Sequence, residues 1–171
     1  SGTSYDANLP QLQTKPGGVA HVRIGDHYLD IYSQEHHSVV HFPALGLLYG
    51  GEFGSDIMLP AVADGSDGDD EIETLRLLAS TLKRKNFQLY LPKYGTRDNE
   101  TVGVMRRLAA DVAYLNGLKN HVGAGLERGD AVETIETASR GLVPPERRIR
   151  VCEDVHDVNL ERIIQSYSKR M

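Results

Sequence analysis

The chain has 171 residues, of which 40% are hydrophobic and 25% charged, and this size favours one globular domain with a buried core. Its formal net charge is −5, from 19 basic and 24 acidic residues without a dense Lys/Arg block, which argues against nucleic acid as a partner. The single cysteine, and the lack of any apolar run near the roughly 20 residues that span a bilayer, predict a cytoplasmic protein without a membrane partner.

The first part of the chain predicts two β-hairpins after an extended N-terminal arm at residues 1–18. Apolar and polar residues alternate on both sides of Gly25, which is typical of two strands joined by a tight turn. Short apolar strands follow at 39–42 and 47–49, on either side of a turn that contains Pro43. Because apolar residues occupy successive positions in these two strands, we expect both faces of that part of the sheet to be buried.

The middle of the chain predicts a helix, a strand and a second, longer helix. An acidic, glycine-rich loop leads to Asp70 and Glu73, whose spacing is typical of a capping box that opens a helix at 71–85. A strand is predicted at 87–91, and apolar residues at helical spacing predict a long amphipathic helix within 98–129. This order of elements predicts an α/β (α+β) fold with a mixed β-sheet covered by helices mostly on one face.

Two more helices are predicted at the C-terminal end. Asp130 can cap a helix that ends at Arg140, Pro144 and Pro145 interrupt the chain, and apolar spacing predicts a last helix at 157–168. We therefore divide the chain into an N-terminal arm, a main domain, and a C-terminal linker with a helix, at 1–18, 19–140 and 141–171.

Three short motifs occur in a characteristic order. Residues 31–40 read IYSQEHHSVV, residues 47–52 read LLYGGE, and residues 91–95, beyond the predicted helix, read LPKYG. This order resembles the second half of metallo-β-lactamase-fold hydrolases. There, a Gly-His-Thr-like turn precedes a Ser-Val-Val-like strand, a Leu-Leu-Phe-Ala-Gly-Asp-like turn, a helix and a Pro-Gly-His-Gly-like strand end. The resemblance spans most of the main domain and implies one half of an αββα sandwich.

The resemblance also implies where the metal ligands of that family would fall. His36 or His37 corresponds to a histidine of the second half if a short gap is allowed, whereas an ungapped alignment places Gln34 there. Glu52 corresponds to the bridging aspartate and Tyr94 to the final histidine, although a protonated phenol is a poor zinc ligand. The His-x-His-x-Asp-His cluster of the first half has no counterpart. The candidate metal ligands are thus His36, His37 and Glu52, with Gln34 and Tyr94 in a vestigial pocket and no catalytic residue assigned.

Three functions follow as hypotheses. The replaced ligands favour a non-catalytic scaffold or a binding and assembly module that needs no cofactor. The alternative is a metal-dependent hydrolase, using zinc or another divalent metal, that a partner chain or a missing N-terminal half completes. A small-ligand binder that reuses the pocket beside Tyr94 is the third.

The strands also predict a partner. An uncovered apolar sheet face would exceed the few hundred Å² that monomers tolerate. We therefore expect a homodimer, or a contact with a complementary N-terminal half, because two-fold dimers are the commonest oligomers. A charge at Val39 or Tyr49 is expected to weaken this contact.

Overall fold

The computed structural model describes residues 15–84 and 87–169, which form a five-stranded sheet and four α-helices. The strands are β1 Val19–Ile24, β2 His27–Ser33, β3 Ser38–Phe42, β4 Leu47–Gly51 and β5 Leu89–Pro92. The α-helices are α1 Asp69–Arg84, α2 Thr101–Arg128, α3 Val132–Ser139 and α4 Arg150–Ser168. Most of the predicted N-terminal arm lies outside the described residues. None of these helices combines the length and the apolar character that crossing a bilayer requires.

The strands lie in chain order across the sheet, and all neighbours are antiparallel except β4 and β5, which are parallel. β1 and β2 form a hairpin around Gly25, whose φ of 59° is in the left-handed region that such a tight turn requires. β3 and β4 form the second hairpin, and α1 lies in the crossover that the parallel pairing of β4 and β5 needs. The predicted hairpins and the mixed sheet are confirmed.

One face of the sheet, which we call the inner face, carries the core. Val39, Leu48 and Tyr90 lie on this face and are at most 1% exposed. They share one buried cluster with leucines of α1 and α2, namely Leu75, Leu78, Leu108, Leu115 and Leu118. The apolar stripe predicted for the long helix is therefore confirmed in its central turns, where it joins the buried core and α2 packs on α1, α3 and α4.

The opposite face, which we call the outer face, is also apolar. Strand pairing and the alternation of side chains along each strand place two rows on it, Ala20, Ile31, Val40, Tyr49 and Leu91, and Val22, Leu29, Phe42, Leu47 and Leu89. All ten are only partly buried, and within the described chain none of them is packed against the buried core. Of the two positions predicted for a partner contact, Tyr49 lies on this face, whereas Val39 is on the inner face and is fully buried.

The C-terminal helix is longer than the sequence predicts. α4 begins at Arg150 rather than at 157, because Cys152 and His156 extend its buried stripe toward the N-terminus. A cysteine and a histidine carry a weaker hydrophobic signal than leucine, so this stripe was not apparent from the sequence. The chain between α3 and α4 forms 3-10 turns at Arg140–Leu142 and Pro145–Arg147.

Candidate functional site

The candidate site residues come together at one end of the sheet, which we call the site edge. Gly51 at the end of β4 pairs with Pro92 at the end of β5, and a Cβ atom on Gly51 would lie 3.8 Å from the carbonyl oxygen of Ser38. Gly51 also has a φ of 61°, which favours glycine at this strand end. The loop at 34–37, Glu52 and Tyr94 all adjoin these strand ends.

Glu52 has a cationic partner within the chain. The Lys93 ammonium lies 2.5 Å from Glu52 Oε1 and 5.0 Å from the centroid of the Tyr94 ring. The hydrogen bond to Glu52 raises the pKa of Lys93, so this lysine is charged at neutral pH. The carboxylate that resembles a bridging metal ligand is therefore neutralised by Lys93, and Tyr94, 40% exposed, borders this ion pair.

His37 also has a partner within the chain, and this partner is not Glu52. Its Nε2 atom lies 2.8 Å from Glu71 Oε1, and its ring contacts Phe53 edge-on with 4.9 Å between centroids. Glu71 is fully buried and accepts further hydrogen bonds from the Ala63 backbone N–H and the Ser66 hydroxyl. Burial alone would raise the pKa of Glu71, but these three donors outweigh it and lower that pKa. Glu71 is thus an ionised carboxylate that accepts three hydrogen bonds within the chain.

The loop that carries His36 is fixed by a carboxylate of α1. Asp70 accepts hydrogen bonds from the backbone N–H groups of Glu35 and His36, both at 3.0 Å. The Gln34 N–H donates to the carbonyl oxygen of His37, which closes the loop, and His36 is exposed. Asp70 was predicted to cap α1 in a capping box. That prediction is wrong, because α1 begins at Asp69 and Asp70 binds the neighbouring loop instead.

The groups that could hold a metal at this edge are already hydrogen-bonded within the chain. Among the described residues, one group of potential ligand atoms lies within 4.8 Å of one another, from His37, Asp70 and Glu71, and neither His36 nor Glu52 belongs to it. Its carboxylates already accept five protein hydrogen bonds, two at Asp70 and three at Glu71. A catalytic zinc needs three available ligands and a water. Metal ligation by His36, His37 and Glu52 stays a prediction.

Sequence reasoning did not find Glu71. It lies in the acidic run that opens α1, and such a run is normally a solvated first turn that complements the helix dipole. No feature of the sequence separates the buried Glu71 from the exposed Asp69 beside it. Only the approach of the loop that contains Ser66 and of the loop that contains His37 distinguishes the two.

A buried ion pair between Arg147 and Asp111 holds the loop next to the site edge. Arg147 donates to Asp111 Oδ1 at 2.6 Å and to the carbonyl oxygen of Ser55 at 2.6 Å. The second oxygen of Asp111 accepts the N–H of Gly54 at 2.7 Å. Burial raises the pKa of Asp111 to about 6, although the charge and hydrogen bonds of Arg147 oppose this rise. The pair fixes the loop that directly follows Glu52.

Comparison with known proteins places this arrangement in a known fold. No family model matches the sequence, and no curated protein matches it. The structure is similar to the sec-alkylsulfatase Pisa1 from Pseudomonas sp., with a TM-score of 0.65, 11% identity, and coverage of 91% of this chain and 26% of that chain. A double mutant of the same enzyme gives the same values. A β-lactamase domain protein from Burkholderia ambifaria has a TM-score of 0.56, 18% identity, and coverage of 91% of this chain and 46% of that chain.

These similarities confirm the resemblance to the metallo-β-lactamase fold. At 11% and 18% identity they show the fold alone, a mixed sheet with helices arranged as in half of a metallo-β-lactamase-like domain. The chain spans 26% of the alkylsulfatase and 46% of the Burkholderia protein, so less than half of either neighbour is represented.

Proposed function

We propose that this chain is a non-catalytic metallo-β-lactamase-like half domain that acts as a binding or assembly module. The observation that supports the proposal most is the pairing at the site edge, where Glu52 binds Lys93 and His37 binds Glu71. Two of the three candidate ligands, His37 and Glu52, are thus engaged by partners of this chain, whereas His36 is exposed.

The Lys93 ammonium is the decisive group in this proposal. It lies against the one carboxylate that the resemblance assigns to the metal, and a divalent cation at Glu52 would be repelled by it. Chemistry of this fold family depends on a metal that generates hydroxide at neutral pH. With a fixed ammonium beside Glu52 and a phenol at Tyr94, the site edge favours a role that needs no metal and no cofactor.

The partner in this proposal is a second β-sheet. The apolar outer face supports it, because ten partly buried apolar side chains lie there without contact to the core. The second sheet comes either from another copy of the chain or from a complementary N-terminal half. We place the module in the cytoplasm, since its single cysteine is a buried free thiol.

Metal content tests the proposal. Purified without chelators, the wild-type chain should retain less than about a tenth of an equivalent of zinc, iron or manganese, because no three ligands without protein partners converge within residues 15–84 and 87–169. The Glu52→Ala variant and the control Glu73→Ala, an exposed residue of α1, should give the same low value. Stoichiometric metal in the wild type that is lost in Glu52→Ala but kept in the control would overturn the proposal.

A metal-dependent hydrolase completed by a partner is the second candidate function. The group formed by His37, Asp70 and Glu71 favours it, since one imidazole and two carboxylates lie close together. It would require turnover of an ester, thioester or lactam substrate that depends on added zinc or manganese. That turnover should disappear in His37→Ala and persist in His36→Ala, because only His37 reaches the carboxylates.

A further inference from the structure

The outer face is continuous and carries no charge. Its two rows cross all five strands, and their ten members are alanine, valine, leucine, isoleucine, phenylalanine and tyrosine. At one end the patch continues into Ile24, which is 56% exposed, and into His27, whose ring contacts Phe42 edge-on at 5.7 Å. The surface is thus an apolar sheet face with a polar end, which is the usual composition of the centre and rim of an interface.

The size of the face is that of a small stable interface. Five strands spaced by about 4.8 Å, each with two or three outward residues, give an area of roughly 24 Å by 20 Å, or about 500 Å². Two such faces in contact would bury about 1,000 Å² in total, which is near the lower limit for a specific protein interface. Because buried area alone does not set the affinity, the contact has to be tested over a range of concentrations.

The chemistry of the face suits a second copy of itself. A two-fold contact places the same residues opposite one another, so any charge on the surface would meet its own copy. The two rows contain none, and their branched and aromatic side chains can interdigitate as in sheets packed about 10 Å apart. We infer that the outer face docks on the outer face of a second copy in a two-fold dimer; this inference rests on the assembly role proposed above.

Val40 is the best position at which to test this contact. It lies on the central strand β3, between Ile31 and Tyr49, and its side chain is away from the buried core. In Val40→Lys an ammonium would be buried unpaired in the dimer but solvated in the monomer. The matched control is Val102→Lys, at a 70% exposed position in the first turn of α2.

The measurement is sedimentation velocity over a micromolar concentration series. The wild type and Val102→Lys should sediment at twice the 18.9 kDa of the chain at the upper concentrations and dissociate on dilution. Val40→Lys should raise the dissociation constant by about a hundredfold, as expected when a buried interface centre loses its fit. Leu47→Lys, on the other row, serves as the second variant if circular dichroism shows that Val40→Lys does not fold.

Two results would overturn the dimer. One is a wild-type monomer throughout the series, whether or not it binds an apolar dye. The other is a dimer that is equally strong in Val40→Lys and Leu47→Lys, since the contact would then lie on another surface. A monomer that holds no metal would refute the dimer and leave the non-catalytic function intact. A dimer that holds stoichiometric metal at Glu52 would support the dimer and refute the non-catalytic function.

Discussion

Two ion pairs with nearly equal contact distances differ in their surroundings. Glu52 and Lys93 meet at 2.5 Å with 27% and 47% of their side chains exposed, whereas Asp111 and Arg147 meet at 2.6 Å with 0% and 4% exposed. An exposed pair contributes little to stability because water screens it, but removing one partner of a buried pair leaves a charge without solvent. We therefore expect the loss of Arg147 to destabilise the fold far more than the loss of Lys93.

A network of buried polar side chains, which we call the polar seam, joins α2, α3 and α4. Ser139 donates to the carbonyl oxygen of Glu136, so its hydroxyl accepts from His156 Nε2, and the Tyr114 hydroxyl then donates to His156 Nδ1. Asn159 donates to the same tyrosine oxygen. Burial lowers the pKa of His156, which keeps its ring neutral and suits this chain of bonds. Every member has a partner, so the seam adds order to the helical layer.

The largest effect should come from breaking the buried pair. Arg147→Ala should cost roughly 3 to 5 kcal/mol of unfolding free energy, because it leaves the Asp111 carboxylate buried without its countercharge. Glu146→Ala, at an exposed position in the same 3-10 turn, should stay within about 0.5 kcal/mol. Urea unfolding measures both. Equal losses would mean that Arg147 contributes through the 3-10 turn and not through its charge.

The apolar core beside the seam should respond almost as strongly. Leu115→Ala removes a fully buried side chain of α2 and should cost roughly 2 to 5 kcal/mol. Glu127→Ala, exposed on the same helix, should change the unfolding free energy by less than about 0.5 kcal/mol. The same urea titration compares them, and a similar response would show that the wrong face of α2 has been assigned to the core.

A smaller effect on stability is expected from Glu71, the buried partner of His37. Its pKa is lowered in the folded chain relative to about 4.5 in the unfolded chain. Its contribution to stability is therefore fully present above pH 4.5 and is lost as the pH falls through the lower, folded-state pKa. The wild type should lose stability over this range, whereas Glu71→Gln should start lower and lose less. In the control Glu73→Gln, on the exposed side of α1, the pH profile should match that of the wild type.

The smallest effect on folding should come from the site edge. Lys93→Met removes the ammonium of an exposed ion pair, and such pairs contribute little. Its urea midpoint should match the wild-type value, measured in the same buffer. A clear loss of stability would show that the pair supports the sheet end, and the contrast with Arg147 would then disappear.

The periodic parts of the molecule could be predicted from the sequence. Alternation around Gly25, apolar runs in β3 and β4, and the stripe in α2 each depend on local patterns that the sheet and helices preserve. The two apolar faces of the sheet also follow from successive apolar positions. The start of α4 did not follow, because its first turns bury Cys152 and His156 rather than leucines.

The partners of the site residues could not be predicted in the same way. His37 and Glu71 are 34 positions apart, and Glu52 and Lys93 are 41 apart, so only the folded chain brings them together, through the packing of α1 beside the sheet and the pairing of β4 with β5. Motif order pointed to His36 or His37, together with Glu52, as ligands of one metal. It gave no sign that each would have its own partner, since charge pairing across a sheet end leaves no spacing pattern in the sequence.

Zinc titration by calorimetry tests the central claim most directly, that Lys93 occupies the position of a metal at Glu52. The wild type should show no binding with one-to-one stoichiometry, and Lys93→Met should bind zinc more tightly than the wild type because the repelling ammonium is gone. That gain should vanish in the double variant Lys93→Met with Glu52→Ala. Tight one-to-one binding by the wild type, unchanged in Lys93→Met and lost in Glu52→Ala, would contradict the account.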